Sequence, residues 1–378
     1  MSKLTIISHT EHYLTDDGQI VGLGSTVTEI NHLLDIFDEI IHVAMLHKVP
    51  APPSALPYTS DRVKLLELPA LGGTKAKDKF RLVLNAPKVL KTVRKALKHT
   101  DYFQFRAPTG IGVYVIPYLI FCCSKQGWFK YAGNWKQEKA PLAYRFQRWL
   151  LKTQKRRVTI NGQWPDQPTH CLTFENPCLT LKEVADGESI RIQKRHNLSQ
   201  MNMCFVGRLE IEKGIALMIE SLLQLNPEEQ SRINDIHIVG DGIYREACMT
   251  MVKNSTLNFI FHGHISREVV HDIYKKCHAI VLPSVSEGFP KVVSEAMNYG
   301  CLPIVSNISA MAHYIKDGEN GFLFFPITKT ELTVKIKKML NLSDTQYANM
   351  ISTQNLELYK FTYSYYNKRI NKELIQHT

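Results

Sequence analysis

The sequence predicts an α/β protein built on parallel sheets with helices on both faces. Three observations carry this. Short apolar runs alternate with helix-period runs at βα spacing, most clearly beyond residue 200. Many of these apolar runs end in turns that contain glycine. The 378 residues, 44% apolar and 21% charged, describe an ordinary folded chain of two or three domains and exclude a disordered or fibrous one.

Residues 3–8 read as a strand. A loop with Gly18, Gly22 and Gly24 follows, then a helix over Ser25–Phe37 and a strand over Glu39–Met45, which together make a βαβ start. Ala51–Pro69 is proline-rich and reads as loop and strand edge. Asp101–Phe105, Val158–Ile160 and His170–Phe174 are further strands. A linker is expected within Asn176–Gln200, where Pro177 and Gly187 interrupt a charged stretch. Beyond it come strands at Asn202–Val206, Asp235–Val239, Asn258–His262, Ala279–Leu282, Leu302–Val305 and Phe322–Phe325. Helices at Gly214–Leu225, Ile243–Val252, Ser266–Cys277 and Pro290–Tyr299 connect them. No internal repeat or low-complexity tract is visible.

The first ten residues run straight into a strand, without the charged start, long apolar run and small-residue cleavage site of a signal peptide. The longest apolar stretch, Gly110–Cys123, contains Pro117 and falls short of the roughly 18 residues a membrane span requires, so it reads as a buried core segment. Eight cysteines without a CxxC pair make neither a disulfide scaffold nor a zinc site; free thiols in a reducing cytosol are expected.

Net charge is +11, unevenly spread. Lys75–Arg157 holds 20 basic and 3 acidic residues, whereas residues 1–74 hold 4 and 9. Such a region implies an anionic partner: a lipid surface, a phosphorylated substrate or nucleic acid. Two of its segments, Val89–His99 and Tyr144–Lys155, read as basic amphipathic helices, the second with Phe146, Trp149 and Leu150 among Arg145, Arg148 and Lys152.

Four elements follow strands of the second half, at the sheet edge where α/β proteins bind ligands. They are Gly207-Arg208-Leu209 with Glu212-Lys213-Gly214; Gly240-Asp241-Gly242; Phe261-His262-Gly263-His264; and Ser286-Glu287-Gly288-Phe289-Pro290, which opens a helix. Pro290 suits the first helical position, and the N–H groups of that helix start offer an anion site. With Arg208 and Lys213 they would neutralise a diphosphate without a metal, and the chain has no DxD motif. Glu287 in the loop and Glu295 inside the helix are acceptor-only carboxylates suited to sugar or ribose hydroxyls. Each element alone is a commonplace turn or surface pair; their joint order and spacing are specific.

GRLEIEKG, GDG, FHGHIS and LPSVSEGFPKVVSEAMNYGCLPIVS resemble the donor domain of retaining GT-B glycosyltransferases, glycosyltransferase group 1 or family four, over roughly residues 200–325. The resemblance implies two facing Rossmann-like domains with a nucleotide-sugar cleft between them. The domains would be an acceptor-binding one over 1–185 and a donor-binding one over 186–360, with a helix at 361–378 packing back on the first. It implies that Arg208 and Lys213, beside Gly207, hold the donor diphosphate. Glu295 would bind the ribose, and Glu287 the sugar hydroxyls with the Gly288-Phe289-Pro290 backbone. Gly263, His264 and Ile265 would receive the base.

The first half departs from the family pattern. Where many relatives carry a histidine near the reacting carbon, this chain has Arg106, a poor proton shuttle suited to phosphate or acceptor binding or to a structural ion pair. Gly22 and Gly24 resemble the family's amino-terminal glycine loop and equally fit a plain turn. The implied enzyme is cytoplasmic and peripheral on the inner face of the plasma membrane. It would transfer a hexose, with retention, from a nucleotide diphosphate sugar (most often UDP-linked) to a lipid-linked or oligosaccharide acceptor. No metal, cofactor or nucleic acid is expected. The alternatives are a phosphorylase or epimerase on the same architecture, or a nucleic-acid-binding protein using the basic region.

Overall fold

A computed structural model of the protein describes residues 2–73, 75–194 and 198–376. The chain forms two units, one of residues 1–175 and 363–378, the other of residues 176–362. Each is an α/β unit with its own sheet.

The strands of the first unit are β1 (Lys3–Leu14), β2 (Ile20–Leu23), β3 (Glu39–His47), β4 (Ala55–Pro57), β5 (Val63–Pro69), β6 (Tyr102–Ala107), β7 (Gln126–Tyr131), β8 (Val158–Ile160) and β9 (Cys171–Thr173). Seven run parallel in the order β5-β3-β1-β6-β7-β8-β9, while β2 attaches antiparallel to the far end of β1 and β4 antiparallel to β2. Strands buried on both faces read as near-continuous apolar runs, and Leu4–Ile7 is one, interrupted by Thr5, whose hydroxyl is satisfied by that of Thr100 at 2.8 Å. Ile7, Phe103, Phe105 and Phe129 face one core with Val89, Val93, Val115, Leu119 and Leu151 from helices 86–97, 112–121 and 142–153. Leu4, Ile6 and Trp128 face the other, with Ile30 and Leu33 of helix 24–33 and Tyr366, Ile370 and Leu374 of the returning chain. The tail is further fixed by Asn367 Nδ2 donating to His32 O and by Arg369 against Glu175 at 3.1 Å.

β1 is not regular. It pairs with β3 up to Ile7 opposite Val43 and resumes at Glu11 opposite Met45, so Ser8-His9-Thr10 bulge out of the ladder. Bulges of this kind re-aim side chains and cluster near functional sites.

The basic region resolves into one helical layer. Helices 76–84, 86–97 and 142–153 carry three, four and three basic side chains against one acidic one, Asp78. The face expected in the last of these helices needs correction. Leu150 and Leu151 are buried in the core, and the exposed stripe is Leu142, Phe146 and Trp149. Arg148 and Arg156 are structural, donating to the carbonyls of Asn134, Trp135 and Gln137 and of Cys123 and Lys125.

In the second unit β10 (Met201–Val206), β11 (Ile233–Val239), β12 (Asn258–Gly263), β13 (Ala279–Leu282), β14 (Leu302–Ser306) and β15 (Phe322–Phe324) form a wholly parallel sheet in the order β12-β11-β10-β13-β14-β15. The expected linker is instead mostly helix, Leu181–Lys194, and the unit begins at Asn176, upstream of the boundary expected at 185–186. The physical reason is packing on helix 291–298. Gly187 lies against Asn298, where a Cβ would come within 2.4 Å of its carbonyl, and Arg191 donates to that same carbonyl. The part of the expected linker at 195–197 lies outside the described residues. Among the described residues no helix is long and apolar enough to cross a membrane.

Candidate functional site

The strand order of the second unit reverses between β10 and β13, and ligands bind outside the carboxyl ends of the strands at such a point. The loops after these two strands hold most of the expected site residues. Gly207 N–H donates to Val239 O and Leu209 N–H to Asp241 O, tying the loop after β10 to that after β11. Gly240 takes φ +122°, and a Cβ there would stand 2.0 Å from the Gly207 carbonyl, so only glycine permits the approach. On the other side, Val285 N–H donates to Glu212 O, tying the loop after β13 to the Ile211–Lys213 turn. Gly214, at φ +74°, approaches Pro283 just as closely.

This stitching brings Lys213 and Glu287 together. Lys213 Nζ pairs directly with Glu287 Oε1, and both side chains remain partly open to solvent. Arg208, in the loop after β10, is 70% exposed and, among the described residues, forms its ion pair with neighbouring Glu210 at 3.0 Å. Pro290 precedes the helix Lys291–Asn298 as its cap residue, one position before the helical place expected. Gly288 is half-buried beside it. The Phe289 ring is buried against Tyr314 and Phe361, so its backbone alone faces the loop.

Glu295 lies inside that helix with its side chain only 12% exposed, and burial raises its pKa, opposed by Arg267 and Lys291. Arg267 Nε stands 3.7 Å from the Glu295 carboxylate and also pairs with Glu183. Glu183 is held below its usual pKa: burial alone would raise it, but the Arg267 guanidinium and the Thr180 N–H outweigh that. Sequence reasoning passed over Arg267 and Glu183 because their partners are distant in sequence. The remaining signal was a cation directly after the capping Ser266. His264 is exposed after the positive-φ Gly263, while Ile265 packs against the cluster of Val206 and Val239. His262 is engaged by His237, ring nitrogens 2.9 Å apart.

Three expected residues belong to the first unit. Gly22 is in strand β2, not a loop, and a Cβ there would stand 2.6 Å from the His12 ring. Gly24 opens helix 24–33 against the Ser54 carbonyl. Arg106 is 12% exposed and bonded to Gln104 and to Glu29, a carboxylate it shares with Lys130. The structure thus places Arg106 in a buried ion network.

Beside this network the β1 bulge is pinned by a hydrogen-bonded chain. Ser8 Oγ lies 2.7 Å from His42 Nε2, Tyr58 OH 2.6 Å from His42 Nδ1, and the same hydroxyl 2.8 Å from His12 Nε2. Burial drives both histidines toward the neutral form. The Thr10 carbonyl beside His12 Nδ1 requires a proton there, which fixes the direction: His12 Nδ1–H donates to Thr10 and Tyr58 O–H to His12. His42 Nδ1–H then donates to Tyr58, which leaves His42 Nε2 an acceptor facing Ser8 Oγ, a hydroxyl also within 2.8 Å of Thr10 Oγ1.

Comparison with known proteins bears on the fold. The fold is that of GT-B glycosyltransferases, two Rossmann-like units. The chain superposes along its full length on Anabaena HepE, solved with UDP and glucose (TM-score 0.71, 16% identity, 100% of each chain). It superposes equally on sucrose-phosphate synthase from Thermosynechococcus elongatus (0.73, 16%, 98% of each). Residues 186–355 match the family model for glycosyl transferases group 1, so the second unit is a glycosyltransferase group 1 domain. A glycogen synthase of Mycoplasma mobile is 30% identical over 177 residues, 43% of this chain and 36% of that protein. The lipopolysaccharide 1,6-galactosyltransferase of Salmonella typhimurium is 34% identical over 130 residues, 32% and 34%. The chain thus spans about a third of the length of these curated relatives.

Proposed function

We propose that the protein is a retaining, metal-independent hexosyltransferase. It moves a hexose from a nucleotide diphosphate sugar, UDP-linked, to a hydroxyl of a lipid-linked or polysaccharide acceptor in cell-surface glycan assembly, at the cytoplasmic face of an anionic membrane. The observation that carries the reading is the Lys213–Glu287 pair at the reversal point of the second sheet. In the pair each side chain holds the other at the crevice. A donor diphosphate gives Lys213 a stronger partner and releases Glu287 to accept hydrogen bonds from sugar hydroxyls. Arg208 and the start of helix 291–298 add positive potential where charge develops on the leaving diphosphate. The acceptor hydroxyl passes its proton to that leaving group. The galactosyltransferase relative and the UDP complexes of HepE support the donor and acceptor classes, and the basic helical layer of the first unit supports the membrane.

The test is incubation with a panel of nucleotide sugars, following slow donor hydrolysis. Lys213→Ala should lower turnover on the order of 10²-fold, the effect of removing one preorganised charge-stabilising group. Unchanged turnover and unchanged nucleoside-diphosphate affinity in both Lys213→Ala and Arg208→Ala would overturn the clamp.

A further inference from the structure

We infer that helix Ala76–Leu84 is a lid on the first unit, and that docking of its outer face on an anionic lipid surface lifts it from His9. This rests on the membrane element of the proposed function and names the surface and the group it controls.

The outer face of the helix presents Phe80, Val83 and Leu84 to solvent at 65%, 64% and 62% exposure, an apolar patch that none of the described residues of its unit covers. Exposed Lys75, Lys77, Lys79 and Arg81 surround it. Apolar residues ringed by cations match one partner, a bilayer with anionic headgroups: the cations meet the phosphates and the rings enter the acyl boundary. The same layer offers a second stripe of like composition, Leu142, Phe146 and Trp149 with Arg145.

The inner side of the helix has a different partner. Leu82 packs toward the core and meets Gly110, where its Cδ1 stands 2.9 Å from the place a Cβ would take. His9 reaches the same place from the β1 bulge, its Cε1 at 3.3 Å. His9 Nε2, bonded to that carbon, is buried and without a hydrogen-bond partner. An imidazole nitrogen re-aimed by a bulge within a parallel strand, buried and unpaired where the ring and Leu82 both close on Gly110, is costly unless a ligand hydroxyl takes the place of the leucine. The Ser8–His42–Tyr58–His12 chain holds the bulge in that orientation. Ahead of the helix, Gly72 and Gly73 take φ +147° and +124°, values that favour glycine and suit a hinge. Lid opening would therefore present His9 as a hydrogen-bonding group for the acceptor only where a lipid-linked acceptor is found.

Two measurements on the full chain test this without reference to catalysis. The first is co-sedimentation with phosphatidylglycerol–phosphatidylcholine vesicles and with pure phosphatidylcholine vesicles. Wild type should bind the anionic vesicles, and the surface variant Phe80→Ser/Val83→Ser/Leu84→Ser should bind at least about tenfold more weakly. The second is the rate of His9 carbethoxylation by diethyl pyrocarbonate, read by peptide mass spectrometry. Anionic vesicles should accelerate it severalfold in wild type and leave it unchanged in the variant. Equal vesicle binding by the two proteins overturns the docking face. So does a wild type that pairs with its own copies through this face and ignores vesicles. Binding with no change at His9 overturns the lid. Loss of donor hydrolysis in the nucleotide-sugar assay would instead indict the transferase reading, and the two failures are distinguishable.

Discussion

At the scale of the residue, Glu295 shows what a buried carboxylate costs its own unit. Burial raises its pKa. A carboxylate raised in the folded state contributes stability below its unfolded value, near 4.5, and loses it as pH rises through the folded value. At neutral pH the ionised form is therefore a net cost, and Glu295→Gln should unfold at a higher temperature than wild type at pH 7, the gap closing toward pH 4. The cost makes sense if the carboxylate serves a ligand. Glu295→Ala should weaken nucleoside-diphosphate binding by about 1.5–3 kcal/mol, one charge-assisted hydrogen bond, whereas Glu287→Ala should leave it nearly intact and lower turnover. Calorimetry separates them; equal losses refute the division of roles. The placing of Arg208, Lys213 and Glu287 in loops after strands, and of Glu295 in the helix behind Pro290, was legible in the sequence because turn glycines and a proline punctuate these segments. The neutralisation of Glu295 by Arg267 was not, since it joins two helices through space.

At the scale of the element, the second sheet was legible strand by strand, because its strands are short apolar runs and four of the six are closed directly by glycine or proline. The first sheet was less so. The long β1, its bulge and the antiparallel β2 depend on contacts that no local pattern announces. Gly22 is the instructive case, since it reads as a loop glycine and is instead the empty place into which the His12 ring fits. His12 cannot retreat, because Tyr58 and the Thr10 carbonyl hold it. Gly22→Ala should consequently destabilise the protein by about 1–3 kcal/mol, the cost of overpacking a filled core. Gly18→Ala, in open space but at φ +80°, should show only the smaller backbone penalty. Urea titration of the two variants checks the order.

At the scale of the whole molecule, buried neutral histidines set the acid limit. Burial lowers His9 and His271, one in each unit, to about 4. A histidine depressed in the folded state contributes stability above its unfolded value, near 6.5, and loses it as pH falls toward the folded value. Stability should thus decline between about pH 6.5 and 4, with His9 alone contributing on the order of 3 kcal/mol to the fall. Denaturant melts across this range should show the limb, and His9→Gln should flatten it; a melt independent of pH there would count against the burial of these rings. The charge segregation of the molecule was plain in the sequence. That it forms one helical layer, with Arg148 and Arg156 spent on carbonyls, required the fold.

The return of residues 363–375 to the first sheet has a consequence for synthesis. Leu4, Ile30, Leu33 and Phe174 wait for Tyr366, Ile370 and Leu374 until the entire second unit has been made. At ribosomal rates of about 5–20 residues per second, that interval is roughly 10–40 s. For all of it the nascent first unit shows an unfinished apolar face. Its partner segment is made only after the second unit, so a message cut short before that segment yields not a smaller working protein but a sticky one.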